Sequence, residues 1–569
     1  VPGTVTDIVT KDATAPFGRR LDIAAAVSHF PTDFQSRRQV VLVEASDLAR
    51  ADEYRSVAFA RQRALQHAAA MRATDDLVGR LLQRVDLSRD AVVVLAPYHT
   101  ARARTLTVAA IHAPGITPGL MESSTTRRAG FVQIVDVAPT ILQLVGIDPP
   151  SSMEGRAARV STGASPYRDR LDTLIQLDRG SQFRDATIGK TTATLVTITI
   201  VLVVFSIFGF GYYRRSWFRV LLRSGSLAFL GYVTATFVMG AFPAYRWGTG
   251  TYFTLVTLIA LGFAAIAIGF GRARLVDPIL IALAMIIGLH TVDLVTGAHL
   301  QLNTVFGYSP TVGIRLAGIG NNASAQLCAS ALLFAVLLPD RAPRRGPNIG
   351  YAVLIVTFLV VAAPMFGQDF GGGLSLGPTI ALWWLLRSGR RIRLRAMLTL
   401  VGVLVGAGLV AGFVDLARPA DERTHVGRLF EKIGSDGFGS FFTVVGRKAG
   451  LMFHTFSNTA LLLLVLSVVI GLLLAWRRSD LLARAFRRIP TLGPGLVCFG
   501  LLVTLATVLN DSGVQVTAMM AATLLPVLIV IGVGIDAERD EGVDSVDPGD
   551  AVGPAPTPVR APVGARSPA

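Results

Sequence analysis

From residue 190 to residue 536 the chain is a succession of apolar runs separated by short, arginine-bearing segments. A helix needs about 20 consecutive apolar residues to cross a bilayer. Inside lipid only helices and closed barrels satisfy every backbone N–H and C=O. We read eleven such runs, near 191–212, 225–244, 250–271, 278–297, 323–339, 349–366, 373–387, 396–416, 451–475, 491–509 and 513–535. The fold class this implies is an α-helical polytopic membrane protein with about eleven transmembrane helices. Composition agrees: only 16% of residues are charged and 51% are hydrophobic, against about a quarter charged in soluble proteins. The net charge of +16 does not point to nucleic acid, because the arginines flank the apolar runs and form no long basic patch. The partner it implies is membrane lipid.

Basic residues in short loops are held on the cytoplasmic side. One set of alternate loops carries nineteen arginines, among them Arg214, Arg274, Arg341, Arg390 and Arg488. The opposite set carries eight basic residues, six of them in the long 417–450 loop. The first set is therefore inside, which makes this a multi-pass plasma-membrane protein with its N-terminal region outside the cell and its C-terminus inside. We divide the chain into an extracytoplasmic domain at 1–165, a linker at 166–190, the transmembrane domain at 191–536 and a disordered cytoplasmic tail at 537–569, whose Pro, Ala, Gly and Val composition cannot bury a core. An exported domain calls for an export signal. None opens the chain at Val1-Pro2-Gly3, so we expect further sequence upstream.

In the outer domain, residues 38–44 (RQVVLVE), 91–96 (AVVVLA) and 105–111 read as short apolar strands, and 57–85 has helical periodicity. Helices between strands imply an α/β sheet. The segments LTVAAIHAPGITPG (106–119) and RRAGFVQIVDVAPTILQLVGIDPPSSMEG (127–155) resemble the C-terminal portion of the alkaline phosphatase and sulfatase superfamily, and Asp136-x-x-Pro139-Thr140-x-Leu142 is the most specific part. Read for itself, that phrase is a helix start, with Asp136 as cap and Pro139 in the first turn.

The resemblance implies phosphoryl or sulfuryl transfer at two divalent metals held by Asp and His. Asp47 and His99 stand near the positions where relatives carry ligands, with His112 a further candidate. The residue four after Asp47 is Ala51, however, and residues 96–99 read Ala-Pro-Tyr-His where relatives have Ser-Asp-His-Gly. The half of the fold that would supply the nucleophile is absent. No cofactor is evident, and a divalent metal is expected only if upstream sequence restores the site. The domain in this chain is expected to be a catalytically incomplete, truncated α/β unit; any enzyme activity would be that of a phosphatase- or phosphotransferase-like hydrolase in a longer protein.

Ionisable groups within membrane spans are costly and mark candidate sites. His290 and Asp293 are three residues apart on one helical face and can pair or relay a proton; alternatively Asp293 sits at the outer interface. Residues 297–322 and 366–378 are outer segments dominated by Gly and apolar residues, a composition suited to re-entrant or broken helices. Arg315, Asn321, Asn322 and Asp369 would give them a polar pocket opening outward, unless Arg315 and Asp369 only pair structurally. An interfacial helix is expected near 439–448. The set Gly307-Tyr308-Ser309-Pro310, Arg315, Gly318 to Asn321, Gln368 to Gly372 and Asn510 to Gly513 is similar to a group of actinobacterial multi-span membrane proteins that also carry an exported alkaline-phosphatase-like domain. Cys328 and Cys498 both lie in apolar runs and offer no disulfide framework.

Three functions remain open from the residues: a cell-envelope protein handling a lipid-linked or phosphorylated glycoconjugate, a transporter or flippase with an outward-facing polar pocket, and a non-catalytic assembly scaffold. The oligomeric state is not encoded in any pattern we recognise.

Overall fold

The N-terminal region is assembled from short pieces. The computed structural model describes residues 8–540 except 32–33, 35–37, 98–104, 151–152, 154, 162–164, 209–214, 272–273, 313–315, 477–478 and 511; between 389 and 459 it describes only scattered positions. Strand β1 (Val9–Lys11) pairs antiparallel with β2 (Arg19–Leu21), and α1 (Ile23–Ser28), α2 (Asp47–Tyr54) and α3 (Ala60–Leu82) follow. Then β3 (Val92–Leu95) pairs antiparallel with β4 (Ala109–His112), and β5 (Met121–Glu122) with β6 (Arg159–Val160), α4 (Val137–Leu144) lying between these last two.

Among the described residues this is three separate two-stranded ladders, not the continuous α/β sheet expected from the alternation of strands and helices. The strand expected at 38–44 joins no ladder among the described residues. Leu42 on it is 93% exposed, whereas Val43 packs against the small cluster of Leu21, Ala26 and Leu77.

Asp136 also behaves differently from its expected role. It occupies the N-cap position of α4 without a side-chain capping bond. Its carboxylate instead accepts from Ser123 Oγ (2.7 Å), Thr125 Oγ1 (2.7 Å), and the backbone N–H groups of Gln133 and Arg156 (2.9 Å each). A carboxylate with several donors is stable when buried, and this one joins the 121–126 strand end, the start of α4 and the 153–158 return.

The remainder is a helical bundle: α5 (Tyr167–Phe208), α6 (Ser216–Val238), α7 (Gly248–Phe270), α8 (Asp277–Val295), α9 (Asn321–Arg341), α10 (Gly346–Ala362), α11 (Phe370–Arg387), α12 (Leu461–Trp476), α13 (Ser479–Arg488), α14 (Leu492–Leu509) and α15 (Val514–Asp540). Among the described residues seven helices are long and apolar enough to cross a membrane, namely α5 to α9, α14 and α15. Helices α10 and α12 are apolar but shorter. Ten of the eleven expected spans overlap described helices in part or whole; most of the one at 396–416 lies outside the described residues, as does most of the interfacial helix expected near 439–448. The stretch read as a linker is helical, for α5 runs unbroken over 42 residues, about 63 Å at 1.5 Å per residue.

Helix α9 is the buried centre. Its side chains from Asn322 to Leu337 are almost all enclosed, and it packs against α8, α10, α14 and α15. Small residues at Ala323, Ala325, Ala329 and Ala331 permit this close approach on several sides. At one end of the bundle, arginines meet carboxylates: Arg341 with Asp277 (3.0 Å), Arg488 with Asp340 (3.0 Å) and Glu538 (3.2 Å). The other end carries the N-terminal region.

Candidate functional site

The end of the bundle beneath the N-terminal region is closed by two irregular loops, one joining α8 to α9 and one joining α10 to α11. The first contains only a 3₁₀ turn at His299–Gln301 and tight turns among its described residues. The broken helices expected at 297–322 and 366–378 are therefore loops followed by regular helices that begin at Asn321 and Phe370. Loop backbone can be buried here because the two loops bond each other. Gly318 has φ +80°, and a Cβ on it would collide with the carbonyl of Gly367. This close approach lets the N–H of Ile319 donate to the Gly367 carbonyl at 2.8 Å.

Asp293 fastens the longer loop. Its carboxylate accepts from the Leu300 N–H (2.8 Å) and from Gln301 Nε2 (2.9 Å), while Gln301 Oε1 accepts from the Gly320 N–H (3.2 Å). Asp293 is only 4% exposed. It does not bond His290. Fully buried His290 shares a hydrogen bond between its Nε2 and Gln326 Oε1 (3.0 Å), and Gln326 Nε2 donates to Thr234 Oγ1 (3.0 Å), a chain across α8, α9 and α6. Phe237 meets the His290 ring edge-on at 4.9 Å. The two residues share a helix face but serve different networks.

Asn321, Asn322 and Asp369 do come to the same end of the bundle, at the starts of α9 and α11. Asn321 Nδ2 donates to Ser512 Oγ, tying α9 to the turn between α14 and α15. Asn322 Nδ2 donates to the Phe306 carbonyl (2.8 Å), and its Oδ1 is buried without a partner. Asp369 caps α11 by accepting from the Gly372 N–H at 3.0 Å. Its other oxygen, Oδ2, is buried without a hydrogen-bond partner, on a residue 4% exposed. A buried acceptor left unpaired costs about 1–3 kcal/mol. Arg315, expected as a partner for Asp369, lies outside the described residues.

The N-terminal region sits directly on these loops. Arg128 donates from Nε to the Leu316 carbonyl (3.0 Å) and from Nη2 to the Ala298 carbonyl (2.6 Å), and Arg127 reaches the Pro364 carbonyl (3.3 Å). Burial pulls the Arg128 guanidinium below its ordinary value, with Tyr308 and Asp293 acting in the opposite sense. Phe131 packs with Tyr308 and Leu316 in a small apolar cluster. The polar half of α5 grips the same loop: Ser181 Oγ donates to Asn303 Oδ1 (3.2 Å), and Asp185, ion-paired with Arg184 (2.8 Å), accepts from Ser309 and Thr311.

The residues that sequence reasoning missed are Gln301, Gln326 and Arg128. The first two are neutral and carried no charge to mark them. Arg128 was one basic residue among many.

The remnants considered for a metal centre are differently employed. Asp47 accepts from the Leu21 N–H (2.9 Å) and from Arg50 (2.5 Å), joining β2 to α2. His112 Nε2 bonds the Leu87 carbonyl at 3.1 Å, and His99 lies outside the described residues. Among the described residues no three His, Cys, Asp or Glu side chains gather into a metal-binding group. The described residues do not fit a two-metal site. No protein-family model, curated protein or solved structure matches this chain.

Proposed function

We propose that this is an eleven-span plasma-membrane protein of the cell envelope that holds the polar part of a lipid-linked or phosphorylated glycoconjugate at the outer end of its bundle. The observation that carries the reading is the gathering of Asn321, Asn322, Asp369 and Ser512 beneath the N-terminal region, with two buried acceptors unpartnered. Polar groups arranged this way, at helix ends, in loops and under a cover, suit a head group presented from the membrane. The distribution of arginines supports an outward placement of this end.

The N-terminal region acts as the cover. Its reading as the latter part of an alkaline-phosphatase-like fold rests on the 106–155 motif, and in this chain it recognises and encloses; it does not hydrolyse. A second reading, a transporter or flippase, is favoured by the His290–Gln326–Thr234 chain, since buried polar links between spans mark paths through a bundle.

The test is photo-crosslinking of the purified protein with envelope lipids carrying a diazirine. Capture of a glycosylated or phosphorylated lipid, reduced at least tenfold in an Asn322→Ala, Ser512→Ala double variant that keeps its thermal midpoint, supports the reading. Equal capture of neutral and polar lipids by wild type and variant would overturn it.

A further inference from the structure

A groove runs along the outside of the bundle between α10 and α11. The short loop at 363–369 joins these two helices and they pack side by side, so they run antiparallel. One stripe of each lines the gap: Tyr351, Ile355 and Phe358 from α10, and Gly377, Ile380 and Trp384 from α11, at the spacings of a single helix face. The groove holds about 500 Å³, within the range of ligand sites, and extends over two turns of helix, about 10 Å. Its α11 wall is low because Gly377 and Ala381 carry little or no side chain. Ile355 and Trp384 are about half exposed, as are Val356 and Leu359 beside the α10 stripe, so the groove opens onto apolar helix surface.

One end of this groove is charged. Antiparallel packing brings the start of α10, where Arg344 and Arg345 precede Gly346, to the same end as Arg387, the last residue of α11. Arg341, nearby at the end of α9, is neutralised by Asp277. Arg344, Arg345 and Arg387 form no ion pair with any described residue, and the first two are exposed. Arg387 lies over the Trp383 ring at 5.7 Å and within electrostatic reach of the Tyr351 hydroxyl, inside the groove.

We propose that the groove holds an anionic phospholipid, with an acyl chain against Ile355, Phe358 and Ile380 and its phosphate among Arg344, Arg345 and Arg387. A hydrocarbon chain by itself gains little from leaving lipid for an apolar surface; three guanidinium groups without carboxylate partners give an acidic lipid a reason to stay. Arginine presents N–H donors in a fork that matches phosphate oxygens. Basic pockets between spanning helices on the cytoplasmic side hold acidic head groups, and the distribution of arginines places this end there. Tyr351 and Trp384, with apolar rings and polar tips, suit the depth just beneath the head groups. The site is separate from the outer pocket and shares with the functional reading only the orientation of the bundle.

The experiment uses the full chain in nanodiscs doped with phosphatidylglycerol or phosphatidylcholine, each carrying the same diazirine on its acyl chain, and maps the labelled residues by peptide mass spectrometry. Phosphatidylglycerol should label 351–358 and 377–384 at least tenfold more than phosphatidylcholine. One basic side chain near an acidic lipid is worth roughly fivefold in binding. Arg345→Gln should therefore lower the phosphatidylglycerol signal about fivefold, and Arg344→Gln with Arg345→Gln should bring it close to that of phosphatidylcholine. Ala381→Phe, which fills the groove, should lower labelling by both lipids; if it also lowers the thermal midpoint, the arginine variants decide. Equal labelling by the two lipids in the wild type would show ordinary bilayer contact and overturn the proposal, as would a preference unchanged in the double arginine variant. Absence of labelling by either lipid, with a disulfide forming between Ala381→Cys and Val403→Cys, would show the groove covered by this chain's own 396–416 run and overturn it too. Labelling here should persist in the Asn322→Ala, Ser512→Ala double variant, so failure of the outer pocket and failure of this site are read separately.

Discussion

The two ends of the bundle are held together by different chemistry. At one end, Arg341, Arg484 and Arg488 meet Asp277, Asp340, Asp536 and Glu538, with partly exposed guanidinium groups. At the other, neutral amides and hydroxyls surround isolated buried carboxylates, Asp293 and Asp369, and loop backbone is satisfied by loop backbone. Exposed ion pairs are screened and contribute little individually. Buried hydrogen-bonded carboxylates are costly to disturb. The first end is built to tolerate change, and the second is built to hold specific groups in place.

Substitutions should show that contrast. The largest effect is expected from Asp293→Ala, which leaves the Leu300 N–H and Gln301 Nε2 without their acceptor; the loss should be on the order of 3 kcal/mol, read as a fall in thermal midpoint and as new proteolysis within 297–320. Asp293→Asn should recover part of it. Arg128→Ala should cost about 2 kcal/mol by breaking two bonds to loop carbonyls, and should release the N-terminal region from the bundle, visible as faster hydrogen exchange at Leu316 and Ala298. Gln326→Leu is expected to cost about 1–2 kcal/mol, because it strands both His290 Nε2 and Thr234. The smallest effect belongs to Arg488→Ala, about 1 kcal/mol or less. That effect should shrink further in high salt, whereas the Asp293→Ala loss should be unchanged by it. If the Arg488 and Asp293 variants proved equally sensitive to salt, the contrast between the two ends would collapse.

The helices were legible because lipid demands long apolar runs, and α7 to α9 fall within a few residues of the spans read from hydropathy. Less legible was what the polar residues do. His290 and Asp293 stood out by charge and spacing, yet each is bound by a glutamine from elsewhere in the chain, Gln326 and Gln301, and neutral amides give no signal in a hydropathy profile. Asn321, Asn322 and Asp369 were legible as a group because each sits at the edge of an apolar run beside glycines, where a helix must start. The 38–44 segment misled because a short apolar run only marks a strand when a neighbouring strand is present to bond it. Asp136 was recognised as part of a motif, but its four donors come from residues 123 to 156, and no local pattern records a partner twenty positions away.

Helix α5 has a mechanical consequence. No proline interrupts its 42 residues, its first half is gripped by Asn303, Ser309 and Thr311, and it packs against α6 and α12. A single rod of that length fixes the spacing between the loops under the N-terminal region and the far end of the bundle, so neither end can shift along the bundle axis without the other.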